Sequence, residues 1–318
     1  MANTLPDVQS EQPAIKIPIG RVGLVNVVKE VVFNGSSKPY NVVASIDVYA
    51  DLPKTQRGLH MSRPGEAIMD IIESASSISI KTFEALCGEI SKRTLEVTEG
   101  STYIETRLRG KMVIRSRSRV NNRVTSEPIE VFASAKILRS SNKTVYAVGA
   151  RSVGMTVCPC ALEAVRDYTK DVARELFRQG GINASDEFVT SLLQTIPIAS
   201  HVQRGAGSIV VWGVSPGVVD VYDLVEIIEQ SMSAPVQDVL KRTDEASLVR
   251  MGFSRPRFVE DVVRNMAYEL VQRYRDKLEK DTLFILRQRN FESIHKHDVK
   301  AEIRATLDEL MSYVSNIE

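Results

Sequence analysis

The chain has 318 residues, of which 43% are hydrophobic and 25% charged, a composition typical of globular proteins with a substantial core. Its 41 lysines and arginines nearly balance its 40 aspartates and glutamates, which excludes the strong basic excess of nucleic-acid-binding proteins. No apolar run long enough for a membrane span and no secretory signal are present, and three cysteines are too few for a disulfide framework, so we expect a cytoplasmic protein.

Residues 1–14 are predicted to be a polar lead-in, and residues 15–125 to form a first structural half. Two segments rich in β-branched residues, 21–28 and 41–48, predict strands around a turn at 34–37. Apolar residues recur at helical spacing over 64–97, with a serine-rich break near 74–79. Strand alternation returns at 103–108 and 112–114.

Residues 126–318 are predicted to form a second half with the same alternation of strand pairs and helix pairs. Strands are predicted at 130–133, 144–148, 208–214 and 283–286. Helices are predicted at 161–179, 185–195, 223–230 and 257–277, with a closing amphipathic helix at 299–314. Because no βαβ rhythm is present, the pattern predicts an antiparallel α+β architecture.

The sharpest local feature is the pair Cys158 and Cys160 around Pro159. Proline biases the residue before it toward an extended conformation, and in an extended Cys-Pro-Cys both sulfur atoms fall on one face. Thiolate, imidazole and carboxylate ligands together suit Zn²⁺ or Fe²⁺. The alternative is that both thiols are small buried apolar groups.

The chain has only four histidines. His295 and His297 stand two residues apart and close to Glu292, so this segment could supply a metal ligand and an acid/base group. It could equally be a solvated turn before the last helix. His201, just before a predicted strand, is open to interpretation as a ligand, a capping group or a surface residue.

Three charged segments complete the candidates. Lys241, Arg242 and Glu245 offer two cations for phosphate and one carboxylate, or simply a solvated surface. Glu260 lies near a predicted helix start, where the helix dipole favours acidic residues in any case. Residues 57–63 could be a polar loop with a serine N-cap before Pro64.

Seven segments in register across the chain resemble the signature blocks of the type IB GTP cyclohydrolases. They are residues 5–9 (LPDVQ), 57–63 (RGLHMSR), 158–160 (CPC), 201–204 (HVQR), 241–245 (KRTDE), 258–261 (FVED) and 291–297 (FESIHKH). The resemblance implies tandem tunnelling-fold units whose antiparallel sheets close into a barrel in a homo-oligomer, a dimer or a tetramer, with active sites at interfaces.

The resemblance also implies a reaction and its cofactor. Water attacks C8 of GTP, the imidazole ring opens, and formate leaves. The predicted helices between Cys158 and His201 are similar to the archaeal, iron-dependent branch, which forms 7,8-dihydroneopterin 2′,3′-cyclic phosphate for methanopterin-type pterins. Fe²⁺ is therefore expected, with Zn²⁺ or Mn²⁺ as alternatives. The alternatives for function are the triphosphate product of the bacterial enzymes and a non-catalytic purine or pterin binder.

Residue roles follow from the matching blocks. The implied metal ligands are Cys158, His201, Glu245 and His295, of which His295 is alternatively the acid/base group. Glu292 would orient His295. Cys160 would be either a thiol just outside the metal ligands or a reactive neighbour, and the two-residue spacing does not choose between them. Glu260 would bind the guanine edge. The implied phosphate and pocket residues are Lys241, Arg242, Arg204, Arg63 and His60.

Overall fold

In the computed structural model, which describes residues 6–34, 39–74 and 81–314, nine strands form one antiparallel sheet. The strands are β1 (Ile19–Asn34), β2 (Pro39–Leu52), β3 (Tyr103–Arg117), β4 (Val124–Leu138), β5 (Thr144–Val157), β6 (Val202–Val214), β7 (Ala234–Pro235), β8 (Leu283–Phe291) and β9 (Val299–Thr306). Their order across the sheet is β1-β2-β3-β4-β5-β6-β8-β9, and the two-residue β7 pairs with β5 beside this path.

The helices of the described residues lie in the connections between strands, except for α8, which follows β9. They are α1 (Ser62–Ser74), α2 (Phe83–Val97), α3 (Pro159–Gln179), α4 (Asp186–Thr195), α5 (Val221–Ser231), α6 (Arg242–Ser254), α7 (Val259–Tyr274) and α8 (Leu307–Val314). The antiparallel pairing and the strand and helix order confirm the predicted α+β class.

The main core lies between the sheet and helices α2, α5 and α7. Leu86 and Ile90 of α2, Leu224 of α5 and Met266 of α7 are fully buried in one cluster with strand residues such as Ile104. Burying each such side chain contributes about 1.5–3 kcal/mol, so this layer holds the helices against the sheet.

Helices α3 and α4 form a hairpin inserted between β5 and β6, with a small core of its own. Leu162, Val189 and Leu193 are buried in this second cluster. Pro159 begins α3 because its missing N–H is not needed at a first helical position, and the Ser185 hydroxyl caps α4. The two predicted helices, 161–179 and 185–195, are thus confirmed.

The predicted closing helix at 299–314 is wrong over its first half. Those residues form β9, which pairs with β8, and only Leu307–Val314 is helical. The helix begins there because Thr306 and Glu309 cap each other: the Thr306 N–H donates to the Glu309 carboxylate, and the Glu309 N–H donates to the Thr306 hydroxyl. Apolar and polar residues alternate over 299–306, which is the period of a strand. The prediction of a helix did not take this period into account.

Other element bounds also differ from the prediction. Segments 103–108 and 112–114 belong to one strand, β3, and the strand predicted at 283–286 extends to Phe291. Helix α6 was not predicted at all. It begins after Lys241, whose N–H donates to the Asp244 carboxylate, and such a short-range cap is easily read as a solvated charge run.

The predicted boundary between the halves, at 125/126, falls inside β4, which runs without interruption through that point. The strand-strand-helix-helix-strand-strand order of β1 to β4 ends instead at Leu138. The division into halves stays a prediction. Most of the predicted turn at 34–37 and of the break at 74–79 lies outside the described residues. Within the described chain, no helix combines the length and apolarity needed to span a bilayer.

Candidate active site

The candidate site lies at one end of the three neighbouring strands β5, β6 and β8. Cys158 directly follows β5, His201 directly precedes β6, and Glu292 directly follows β8, the other neighbour of β6. Val157, the last residue of β5, pairs with Val202, the first residue of β6, so residues far apart in sequence lie together at these strand ends. The Cys158 N–H donates to the His201 carbonyl over 3.2 Å and continues the pairing by one more residue.

The N-terminus of helix α7 lies beside the same strand ends. The Arg257 N–H donates to the carbonyl of Val157, the last residue of β5, over 3.0 Å. The Phe258 N–H then donates to the Asp261 carboxylate over 3.0 Å, a local cap that starts the helix. Glu260, the second helical residue, is thereby placed beside the strand ends.

These segments surround a cavity of about 250 Å³. The predicted site residues that line it are Cys158, His201, Glu260, Glu292 and His295. Ligand pockets usually measure about 300–1,000 Å³, so the cavity of a single chain has room for only part of a nucleotide.

The imidazole of His201 is the centre of the polar contacts. Its Nδ1 lies 2.9 Å from Oε1 of Gln203 and 3.7 Å from Oε2 of Glu292. The His201 and Glu292 side chains are only 12% and 7% exposed, so this pair is largely shielded from solvent. The His295 ring stands edge-on to the His201 ring, with 6.3 Å between the ring centres, and stacks on the His297 ring at 5.2 Å. The side chains of His295 and His297 are both exposed.

The two close cysteines do not share a face, so the expected extended Cys-Pro-Cys arrangement is wrong. Cys158 has an extended backbone, as expected before proline, but Pro159 starts α3 and carries Cys160 into its first turn. Cys158 lines the cavity, whereas Cys160 is exposed and does not. The third cysteine, Cys87, is buried, and this burial raises the pKa of its thiol well above its usual value.

Three residues predicted from the segment at 241–245 lie away from this cavity. Lys241 caps α6, and Arg242 and Glu245 occupy its first turn. All three side chains are exposed, and none lines the cavity. The structure of one chain therefore does not bring Glu245 together with Cys158 and His201.

The remaining predicted residues also have other contacts. Arg204 is exposed on the opposite face of β6 from Gln203. His60 lies 2.8 Å from the carboxylate of Asp7, in the N-terminal lead-in, and the Arg63 guanidinium donates to the carbonyl of Val97, at the end of α2. In a single chain both hold the first half together and are absent from the cavity lining.

The donor types at the cavity suit a metal ion, but a complete ligand set is not formed. A cysteine thiol and imidazoles are the ligands that Zn²⁺ and Fe²⁺ accept in proteins. Cys158, His201 and His295 share the cavity. Among the described residues, however, no three His, Cys, Asp or Glu side chains lie close enough to hold one ion. The side chains therefore fit a metal ion in their chemical type and in sharing one cavity.

Several cavity residues were missed from the sequence. They are Gln203, Arg257, Phe258 and Asn290, whereas His297, which also lines the cavity, was already a candidate. Strand alternation could have found Gln203, since it stands two residues after His201 on the same face. No local pattern marks Asn290, which depends on the pairing of β8 with β9.

A second cavity of about 420 Å³ adjoins the first, and Arg257 lines both. Arg117, Arg119 and Arg255 also line it. In the described part of the chain, none of these four guanidinium groups forms an ion pair; Arg117 and Arg255, for example, donate to backbone carbonyls. Burial, together with the charge of Arg255, lowers the pKa of Arg257. The carboxylate of Asp244, also in the lining, accepts from the Asn121 amide group and nearby backbone N–H groups instead.

Comparison with known proteins gives matches along nearly the whole chain. The family described as Type I GTP cyclohydrolase folE2 matches residues 5–301. GTP cyclohydrolase MptA of Methanosphaera stadtmanae is 37% identical over 309 residues, covering 96% of each protein. GTP cyclohydrolase MptA of Methanocaldococcus jannaschii is 35% identical over 307 residues, again covering 96% of each.

A solved structure supports the fold. Uricase from Arthrobacter globiformis superposes with a TM-score of 0.50 at 8% identity, covering 90% of this chain and 93% of that one. At this identity the likeness concerns architecture alone, and that architecture is the tunnelling fold with its antiparallel sheet and layered helices.

Proposed function

The chain belongs to the type I GTP cyclohydrolase folE2 family and is an enzyme with GTP cyclohydrolase activity, and from that premise we propose that the guanine ring opens in the cavity at the ends of β5, β6 and β8. One observation carries the proposal. Cys158, His201 and Glu260 come from three separate segments and Glu292 and His295 from a fourth, yet all five line this one cavity.

Glu260 is proposed to bind the guanine base. A carboxylate offers two acceptor oxygens, which match the N1–H and 2-amino donors along one edge of guanine. The side chain of Glu260 is exposed toward the cavity at the start of α7, so no protein donor has to be displaced first. Hydrogen bonds to a charged partner contribute about 1.5–3 kcal/mol each.

Cys158 and His201 are proposed to hold a divalent metal ion, Fe²⁺ in preference to Zn²⁺ or Mn²⁺. Such an ion supplies a water of lowered pKa as the nucleophile for C8. Of the other two ligands in the predicted set, His295 shares the cavity, whereas Glu245 would have to come from outside the cavity lining of one chain. Removing metal with a chelator should abolish formate release, and adding back each metal in turn, without oxygen, should rank them.

Side chains at the cavity are proposed to transfer the protons of the reaction. His295 is exposed at the cavity, where an imidazole can take a proton from the attacking water and return it to the opening ring nitrogen. Glu292 is shielded and faces His201, so in this geometry its carboxylate acts on His201 more directly than on His295.

The phosphates are proposed to extend past Arg257 into the second cavity, whose lining holds four arginines alongside the carboxylates of Glu226, Glu229, Asp244 and Glu269. Arginine pairs with phosphate through several parallel donors, and these guanidinium groups lack a carboxylate partner within the described chain. Arg257→Ala should weaken GTP binding by about tenfold, the effect of roughly 1.4 kcal/mol, while leaving guanosine binding nearly unchanged. Arg264→Ala is the control, because Arg264 pairs with Asp261 and lines neither cavity. Equal losses for GTP and guanosine would contradict this placement.

The product is proposed to be 7,8-dihydroneopterin 2′,3′-cyclic phosphate, a step toward methanopterin-type pterins. The support is that relatives named MptA align with 96% of this chain and with 96% of their own length. Cyclisation releases diphosphate together with formate, whereas the bacterial-type reaction keeps the triphosphate. One diphosphate for each formate, with the matching product mass, is therefore expected. Formate without diphosphate would establish the triphosphate product instead.

A homo-oligomer, a dimer or a tetramer, is proposed as the working form. Among the described strands, β1 and β9 each pair on one side only, so both edges of the sheet are available for a second copy. Light scattering on the purified protein should give a mass of two or four chains. A monomer that releases formate at full rate would overturn the proposal.

A further inference from the structure

The strongest unexplained feature is the way the buried polar residues around His201 determine which ring nitrogen faces the cavity. Gln203 is 7% exposed and Thr156 is fully buried, on the paired positions of β6 and β5. Neither residue had a predicted role. Side chains on alternate strand positions share a face, so Gln203 lies beside His201 in the cavity lining.

The amide of Gln203 is fixed at both ends. Its Nε2 donates to the Thr156 hydroxyl over 3.1 Å, which turns Oε1 toward His201 Nδ1 at 2.9 Å. A carbonyl oxygen only accepts hydrogen bonds, so the proton between these two atoms belongs to Nδ1.

Glu292 supports the same assignment independently. Its carboxylate oxygen lies 3.7 Å from the same Nδ1, beyond a good hydrogen bond but close enough to favour a proton there. An ionised carboxylate is also an acceptor only. Two oxygens therefore face Nδ1, and Nε2 is left with its lone pair.

We infer that Gln203 is a positioning residue that holds His201 in the Nδ1–H tautomer and so presents Nε2 as the free electron-pair donor. This inference rests on the proposed function in one respect, namely that His201 is a metal ligand. A ligating imidazole whose other nitrogen is hydrogen-bonded is held in both tautomer and ring orientation, and loss of such a partner typically costs 10–100-fold in metal affinity.

The tautomer can be read directly without metal or substrate. The chain has four histidines, so ¹⁵N-histidine labelling gives few signals, and a His201→Asn variant identifies the one of interest. Spectra are recorded on the metal-free full chain, well above the ordinary histidine pKa of about 6.5. The wild-type His201 signal is expected to show a protonated Nδ1 and an unprotonated Nε2.

Three variants separate positioning from general packing. Gln203→Leu removes the acceptor, and should lose the Nδ1–H preference and weaken Zn²⁺ binding by about 10–100-fold. Gln203→Glu keeps an acceptor and should keep both properties. Gln288→Leu is the matched control, because Gln288 is likewise a buried glutamine, on β8, that bonds Asn290 and not His201. It should leave the His201 tautomer unchanged.

Two results would overturn the inference: a wild-type His201 protonated on Nε2, or a Gln203→Leu protein with unchanged tautomer and Zn²⁺ affinity. If Gln203→Leu does not fold, Thr156→Val provides a second route, since losing the anchor of the amide should mix the tautomers. Because the tautomer is measured without metal, it can be confirmed even if formate release proves independent of metal. That second outcome would count against the proposed function alone.

Discussion

The strands β1 to β4 and the strands β5 to β9 share one sheet but use buried polar side chains differently. In the first group, the Thr106 hydroxyl on β3 lies 2.7 Å from the Ser91 hydroxyl on α2, which lies 3.1 Å from the Ala135 carbonyl on β4, so the contacts stay within the core. In the second group, Gln288 is fully buried, yet its Oε1 has no partner in the described chain, and Asn290 beside it lines the cavity. A buried polar group without a partner costs about 1–3 kcal/mol. Unpartnered buried polar atoms occur in both groups, Glu127 of β4 among them, so the second group is distinguished by where its buried amides lie, next to the cavity.

The largest expected effect that separates the regions is at Cys158. Cys158→Ala should lower the rate of formate release more than about 1,000-fold, since loss of a ligand should exceed the 10–100-fold typical of a residue behind one. The protein should keep its circular dichroism spectrum. Cys160→Ala, two residues away and exposed, should stay within about threefold of wild type. Parental rates for Cys158→Ala would remove the central premise of the site.

The next effect compares Glu260 in the second region with His60 in the first. Glu260→Ala should reduce kcat/KM for GTP by about 10–100-fold, the loss expected for hydrogen bonds to a charged group. His60→Ala should change kcat/KM by less than about threefold, because His60 contacts Asp7 and not the cavity. A large loss for His60→Ala would break the comparison, and would mean that the first region of another copy contributes to the site.

A smaller effect concerns the space kept for the buried amides. A Cβ added to Gly205 on β6 would lie 2.2 Å from the Gln288 amide nitrogen, so Gly205→Ala should lower the free energy of unfolding by about 1–3 kcal/mol. A Cβ added to Gly20 on β1 would lie in open space, so the free energy of unfolding of Gly20→Ala should stay within about 0.5 kcal/mol of wild type. Urea denaturation of both variants provides the measurement. Equal stabilities would show that Gln288 moves aside freely.

The smallest effect is a difference in thiol reactivity. Exposed Cys160 should react with iodoacetamide first and Cys158 more slowly, with Cys87 unmodified in the folded protein. Burial raises the pKa of Cys87, so raising the pH from 7 to about 9 should leave Cys87 protonated and unmodified. Mass spectrometry of peptides after timed labelling tests the order. Early labelling of Cys87 would contradict the packing of α2.

The sequence predicted the fold class and most helices because their apolar periods are long and regular. It failed at 299–314, where eight residues of strand precede eight of helix and the average resembles a single amphipathic helix. It missed α6, whose start depends on one aspartate that also binds the backbone of Val120 and Asn121 across the chain. Contacts of that kind involve distant partners and leave no local period.

The candidate site was predictable in part. Cys158, His201, Glu260, Glu292 and His295 were identified as residues of a single site, and the cavity brings them together. The prediction for Cys160 relied on an extended backbone that the helix start at Pro159 prevents. Gln203, Asn290 and Arg257 could not be ranked, because their role depends on strand register and on one backbone hydrogen bond to Val157.

The hydrogen bond between the Cys158 N–H and the His201 carbonyl has a consequence for how the chain can be rewired. It ties the two ends of the α3–α4 excursion together, and the excursion has its own small cluster of buried residues. A tag inserted near Gly181, at the exposed connection between the two helices, would leave both site residues anchored on the sheet. The hairpin would then serve as the attachment point between the enzyme and a surface.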